Sequence, residues 1–144
     1  MRAGDYVRCN FPFRETAGPG PSPHIVLCLA VGRIGSDPIA VVAYTTTRVS
    51  FEGQRRPRQH LLVDEVQAVA LGQSKAFHVD ASRIARLPIT SDYFPDLHDG
   101  VITPFGRDEA FVDTVFERIR FLLANGYQIT PIDLTLSGRP KPGR

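Results

Sequence analysis

"HIVLCLAVGRIGSDPIAVVAYTTTRV" (residues 24–49) decides the fold. Two continuous apolar runs, 24–32 and 39–49, flank the segment "RIGSDP". Each run is short and rich in branched residues, which suits a buried strand. Gly35, Asp37 and Pro38 between them are reversal residues. The stretch therefore reads as a strand, a tight turn and a second strand. Upstream, "GDYVRCNFPF" (4–13) is patterned as a strand through Tyr6, Val7, Cys9, Phe11 and Phe13, and Pro12 helps to close it. Three consecutive short strands with brief turns predict an antiparallel sheet that curls on itself.

Downstream, "SFEGQRRPRQH" (50–60) is polar and arginine-rich, and "LLV" (61–63) is a short strand. "DEVQAVALG" (64–72) reads as a short helical turn ended by Gly72. "KAFHVDASRIARLPI" (75–89) reads as two short strands with a bend near Ala81–Ser82. Residues 91–107 read as loop, broken by Pro95, Gly100, Pro104 and Gly106. The clearest helix runs from Asp108 to Ala124, with Phe111, Val112, Val115, Ile119, Leu122 and Leu123 on one face. Asp108 caps its start, and Asn125-Gly126 supplies a left-handed stop. The expected fold class is mainly β with α, a small β-barrel with a C-terminal helix packed on it. Residues 1–128 form its single domain, and 129–144 a flexible or partner-bound tail.

A length of 144 residues suits one domain, and 42% hydrophobic against 22% charged residues builds a core without metal or disulfide staples. A net charge of +2 is too weak by itself to argue for nucleic acid. Cys9 and Cys28 read as small buried thiols in a reducing compartment, with no zinc spacing. The first residues carry no secretory pattern, and no apolar run approaches the roughly 20 residues of a membrane span. The expectation is a cytoplasmic protein with no membrane partner.

Four features carry chemistry. His24 ends a Gly/Pro loop, and imidazole exchanges protons near neutral pH; taken alone it reads first as a solvated loop end. "YTTTR" (44–48) offers hydroxyls and the Arg48 guanidinium to a phosphate, or is simply β-propensity. Strand alternation in "FHVDASR" (77–83) puts His78 and Asp80 on one face, as a coupled pair or as an ordinary polar face. "RRPRQH" (55–60) concentrates Arg55, Arg56 and Arg58 in a loop, for a nucleic-acid backbone or for solubility. His60 and His98 sit in loop-like sequence without an evident partner. There is no P-loop, dinucleotide glycine pattern or helical histidine pair, so neither cofactor nor metal is expected.

In this order the features resemble the PemK/MazF/Kid-type toxins of bacterial toxin–antitoxin pairs. "GDYVRCNFPF" is similar to their opening, with Gly4 and Asp5 in place. "GPGPSPHIVLCL" (18–29) resembles their Gly/Pro loop and Arg-Pro-apolar strand, and "VVAYTTTR" (41–48) the strand ending in a Thr pair. "AFHVDASRI" (76–84) resembles the strand carrying Arg-x-Asp and a further arginine. The resemblance covers residues 3–90, and the terminal helix agrees with it. It implies an SH3-like barrel of short antiparallel strands, usually a homodimer. It also implies a sequence-selective, metal-independent endoribonuclease acting on single-stranded RNA and blocked by a cognate antitoxin protein.

Carried over, the catalytic positions are His24, Thr45, His78 and Asp80, with Thr46 and Arg83 beside them toward RNA; the basic stretches add Arg48, Arg55, Arg56 and Arg58 to the RNA-facing set. Two family arginines stand here as His24 and His78, and the family proline as Ile25. RNA cleavage without metal needs a base for the 2′-hydroxyl, an acid for the leaving 5′-oxygen and a cation for the phosphorane. The expectation is that the two histidines supply base and acid. Asp80 then holds His78, and Thr45 and Arg83 steady the phosphoryl oxygens. The alternative is an inactive module that binds RNA or an antitoxin through the same arginines.

Overall fold

The computed structural model describes residues 1–12, 18–48, 56–129 and 132–133. The two apolar runs form β2 (His24–Ile34) and β3 (Asp37–Thr46), antiparallel from Val26↔Tyr44 to Ile34↔Asp37. Gly35 turns the chain at φ +63°, so the reversal falls where a residue without a Cβ stands. β1 (Asp5–Cys9) lies against the other edge of β2, with Cys9 opposite His24. β5 (Phe77–Pro88) pairs with β3, and β4 (His60–Val63) pairs with the first part of β5.

The bend expected near Ala81–Ser82 is a bulge within one strand. The register jumps from Ala43↔Ile84 to Tyr44↔Asp80, leaving residues 81–83 looped out of the β3 ladder. Asp80 holds the bulge, since its Oδ1 accepts the Ser82 amide at 2.9 Å and the Ser82 hydroxyl at 2.6 Å.

The antiparallel path runs β4-β5-β3-β2-β1-β6, where β6 is Gly106–Arg107. β7 (Ile132–Asp133) adds parallel to β5, so sheet structure extends past the expected domain end at 128. The sheet-plus-helix class is as expected, but the path does not close into a barrel among the described residues. Its two ends approach without a ladder. β6 is only two residues long, and β4 is followed at once by α1 (Glu65–Ala70). Backbone therefore meets backbone at Leu71–Gly72 and Phe105–Gly106, where a Cβ on Gly72 would lie 2.4 Å from the Phe105 carbonyl oxygen.

The sheet is buried on both faces. On one, Tyr6, Leu27, Leu29, Val79 and Phe77 form a core with Val112, Val115 and Leu122 of α2 (Glu109–Ala124). Each such buried side chain stabilises the fold by roughly 1.5–3 kcal/mol. Asp108 caps α2 by accepting the Phe111 amide at 3.2 Å, and Gly126 follows its end at φ +82°. On the other face, Val7, Cys9, Val26, Cys28, Val42 and Leu87 are covered by Tyr93, Phe94 and Ile102 from the segment expected to be loop. Both thiols are buried and outside any disulfide, the Cys28 thiol donates to the Ala30 carbonyl at 3.6 Å, and burial pushes both thiols up, Cys28 to about 12, so neither serves as a nucleophile. No helix among the described residues is long and apolar enough to cross a membrane.

Gly4 and Asp5 of the opening do structural work. Gly4 (φ +93°) lies so close to α2 that a Cβ would meet the Glu109 backbone at 2.8 Å. Buried Asp5 ties the chain start to β6, accepting the Arg2 amide at 2.9 Å and Arg107 Nε at 2.5 Å.

Candidate nucleic-acid interface

Pairing and alternation place four of the ten candidate residues, His24, Thr46, His78 and Asp80, on one face of four adjacent strands. Cys9↔His24 and Val26↔Tyr44 put His24 and Tyr44 on the face of the second core. Tyr44↔Asp80 and Thr46↔His78 extend that face across β5. His60↔Asp80 carries it to the edge strand β4. Apolar residues fill this face toward the middle of the sheet, and polar ones replace them where β2 starts and β3 ends.

At the β2–β3 end, the Tyr44 hydroxyl lies 3.5 Å from His24 Nδ1, with ring centroids 5.2 Å apart. The bulge in β5 brings Arg83 over this pair. Its guanidinium carbon stands 3.8 Å from the Tyr44 ring centre and 5.5 Å from that of Phe11. Phe11 meets Tyr44 edge-on at 5.3 Å. A cation, an imidazole and a phenol thus converge from three strands.

At the β4–β5 end, the His60 and His78 rings stand 5.1 Å apart. His60 Nε2 lies 3.5 Å from Asp80 Oδ2, the carboxylate oxygen turned away from Ser82. His78 is 0% exposed. Burial first, then the charges of His60 and Arg56, push its pKa below the usual histidine range, against a hydrogen bond to the Arg48 backbone. His78 is therefore a neutral ring beneath the surface, with His60 above it.

Thr45 points the other way. Alternation turns it to the helix-covered face beside Val79, and its hydroxyl donates to the Ile25 carbonyl at 2.6 Å. Thr46 shares the polar face, and its hydroxyl accepts the Arg48 amide at 3.2 Å. Arg55 lies outside the described residues.

At the β4 edge, an open cleft of about 450 Å³ lies between residues 56–62 and α2. Arg56, Arg58 and His60 line it from the strand side, Arg118 and Tyr127 from the helix side, and no carboxylate is among the lining residues. Arg58 also stands 6.0 Å from the Phe121 ring centre.

The site thus gathers His24, Asp80 and Arg83 with Thr46, and holds Arg56 and Arg58 beside them at the sheet edge. Sequence reasoning missed Tyr44 and His60. Alternation from Thr46 already put Tyr44 on the His78–Asp80 face, whereas the place of His60 depends on a β4–β5 register with no local signal. His98 is exposed and lies 3.4 Å from its neighbour Asp99. Compared with protein-family models, curated proteins and solved structures, the chain matches none.

Proposed function

We propose that the protein is a metal-independent endoribonuclease acting on single-stranded RNA, in the manner of the PemK/MazF/Kid toxins its sequence resembles. The observation that supports this most is the meeting of His24, Tyr44 and Arg83 at one end of a polar sheet face. His24 accepts the 2′-hydroxyl proton as the 2′-oxygen attacks phosphorus. Tyr44 donates its hydroxyl proton as the bond to the 5′-oxygen breaks. Arg83 faces the charge of the crowded phosphorane. The products are a 2′,3′-cyclic phosphate and a 5′-hydroxyl, and solvent restores both protons. In this mechanism Thr45 and His78 are positioning residues: one clamps β3 to β2, the other supports His60. Asp80 shapes the bulge that aims Arg83. Arg48, Arg56 and Arg58 receive the RNA backbone.

The test is cleavage of a single-stranded RNA in chelator by wild type, His24→Ala and Tyr44→Phe. Each variant should lose about 100-fold or more in rate, the usual worth of a positioned acid or base. The wild-type rate should trace a bell against pH. Full activity in both variants would sink this assignment.

A second reading is favoured by two observations: His78 is buried, and the Thr45 hydroxyl is held by backbone. On that reading the chain is an inactive module that binds RNA, or an antitoxin protein, through the same arginines. Tight RNA binding without cleavage by the wild type would select it. Growth arrest on expression, relieved by a neighbouring gene's product, would support the toxin instead.

A further inference from the structure

We infer that the cleft between β4 and α2 is a nucleotide subsite, in which Arg118 grips a phosphate and Tyr127 stacks on a base. The inference rests on the reading of the protein as an RNA binder and adds two residues that the resemblance does not supply. Three arginines, Arg56, Arg58 and Arg118, line about 450 Å³ from two separate parts of the chain, and no carboxylate is among the lining residues to offset them. A space of that size suits one nucleotide.

Arg118 is pre-aimed. Its Nη1 donates to the Arg58 carbonyl at 2.6 Å, which draws the guanidinium across the cleft and leaves its other N–H groups for a ligand. Tyr127 is placed by the end of α2. Gly126 takes φ +82°, and the Tyr127 amide returns to the Leu122 carbonyl at 3.0 Å, which brings the phenol ring to the cleft wall. A cationic fork beside an exposed ring suits a nucleotide better than an acidic peptide, which has no flat face to stack.

His60 joins the cleft to the rest of the site. It lines the cleft and approaches Asp80, which pairs with Tyr44 next to His24. RNA held in the cleft therefore continues over the β4 edge toward His24, and the cleft reads a nucleotide beyond the scissile bond.

The experiment measures fluorescence anisotropy of a labelled single-stranded RNA of about ten nucleotides, within the usual span of such sites. It uses the full chain in chelator. Arg118→Gln and Tyr127→Leu should each weaken binding by roughly 5-fold or more, while Tyr127→Phe keeps wild-type affinity because stacking needs only the ring. If Arg118→Gln fails to fold by circular dichroism, the comparison of Tyr127→Leu with Tyr127→Phe decides. Wild-type affinity in all variants overturns the subsite and leaves the RNA reading intact. No RNA binding by the wild type overturns both. Loss of affinity for a glutamate-rich peptide, with RNA affinity unchanged, makes the cleft a protein-docking surface and overturns the inference.

Discussion

His78 shows how one residue's environment changes its chemistry. The same imidazole that reads as a proton carrier in sequence is, once fully buried, held neutral by the cost of charging it away from water. That cost has a sign. The unfolded chain titrates His78 near 6.5 and the folded protein lower, so between those values the unfolded state binds more protons. The stability from a neutral His78 is thus present above the unfolded value and lost as pH falls below it. Urea midpoints measured from pH 7 to pH 5 should fall less in His78→Gln than in wild type. Parallel slopes would mean that another group carries the acid sensitivity.

The elements are held in place by close backbone approaches as much as by ladders. The sheet ends meet where Gly72 faces Phe105, at φ +76° and with no room for a Cβ. Gly72→Ala should cost about 2 kcal/mol or more, combining a left-handed backbone with a clash against a carbonyl. Gly32→Ala is the control, because a Cβ there meets nothing within 4 Å and a strand prefers a side chain. The two are compared by urea denaturation, and equal midpoints would show that the sheet ends do not constrain each other. The β5 bulge works at the same scale. Its looped-out residues turn Arg83 across Tyr44, a contact that an uninterrupted strand would not make.

For the whole molecule, a net charge of +2 understates the electrostatics that matter. Arg56, Arg58 and Arg118 line one cleft beside β4 and α2, and local concentration rather than the sum attracts a polyanion. RNA affinity should therefore fall steeply with salt. Arg58→Gln should flatten the slope of log K against log salt by about 0.7, one single-strand phosphate's worth of released counterions. Arg33→Gln, at the far hairpin where Arg33 donates to the Ser36 carbonyl at 2.8 Å, should leave the slope unchanged. The same loss in both variants would mean diffuse attraction without a defined path.

The elements were largely legible in the sequence because their signals are local. Apolar runs around Gly35, the periodic face from Asp108 to Ala124 and the Asn125-Gly126 stop each act within a few residues. The candidate site was legible only as fragments: His24, Asp80, Arg83 and the arginines were visible, and alternation foretold that His78 and Asp80 share a face. The burial of His78, the turn of Thr45 toward the helix-covered face, the recruitment of Tyr44 and His60, and the opposition of Arg118 to Arg58 were decided by tertiary structure. Each depends on which strand lies beside which and in what register, and on the helix that covers one face but not the other. Propensity acts on neighbours in the chain; burial and electrostatics act on neighbours in space.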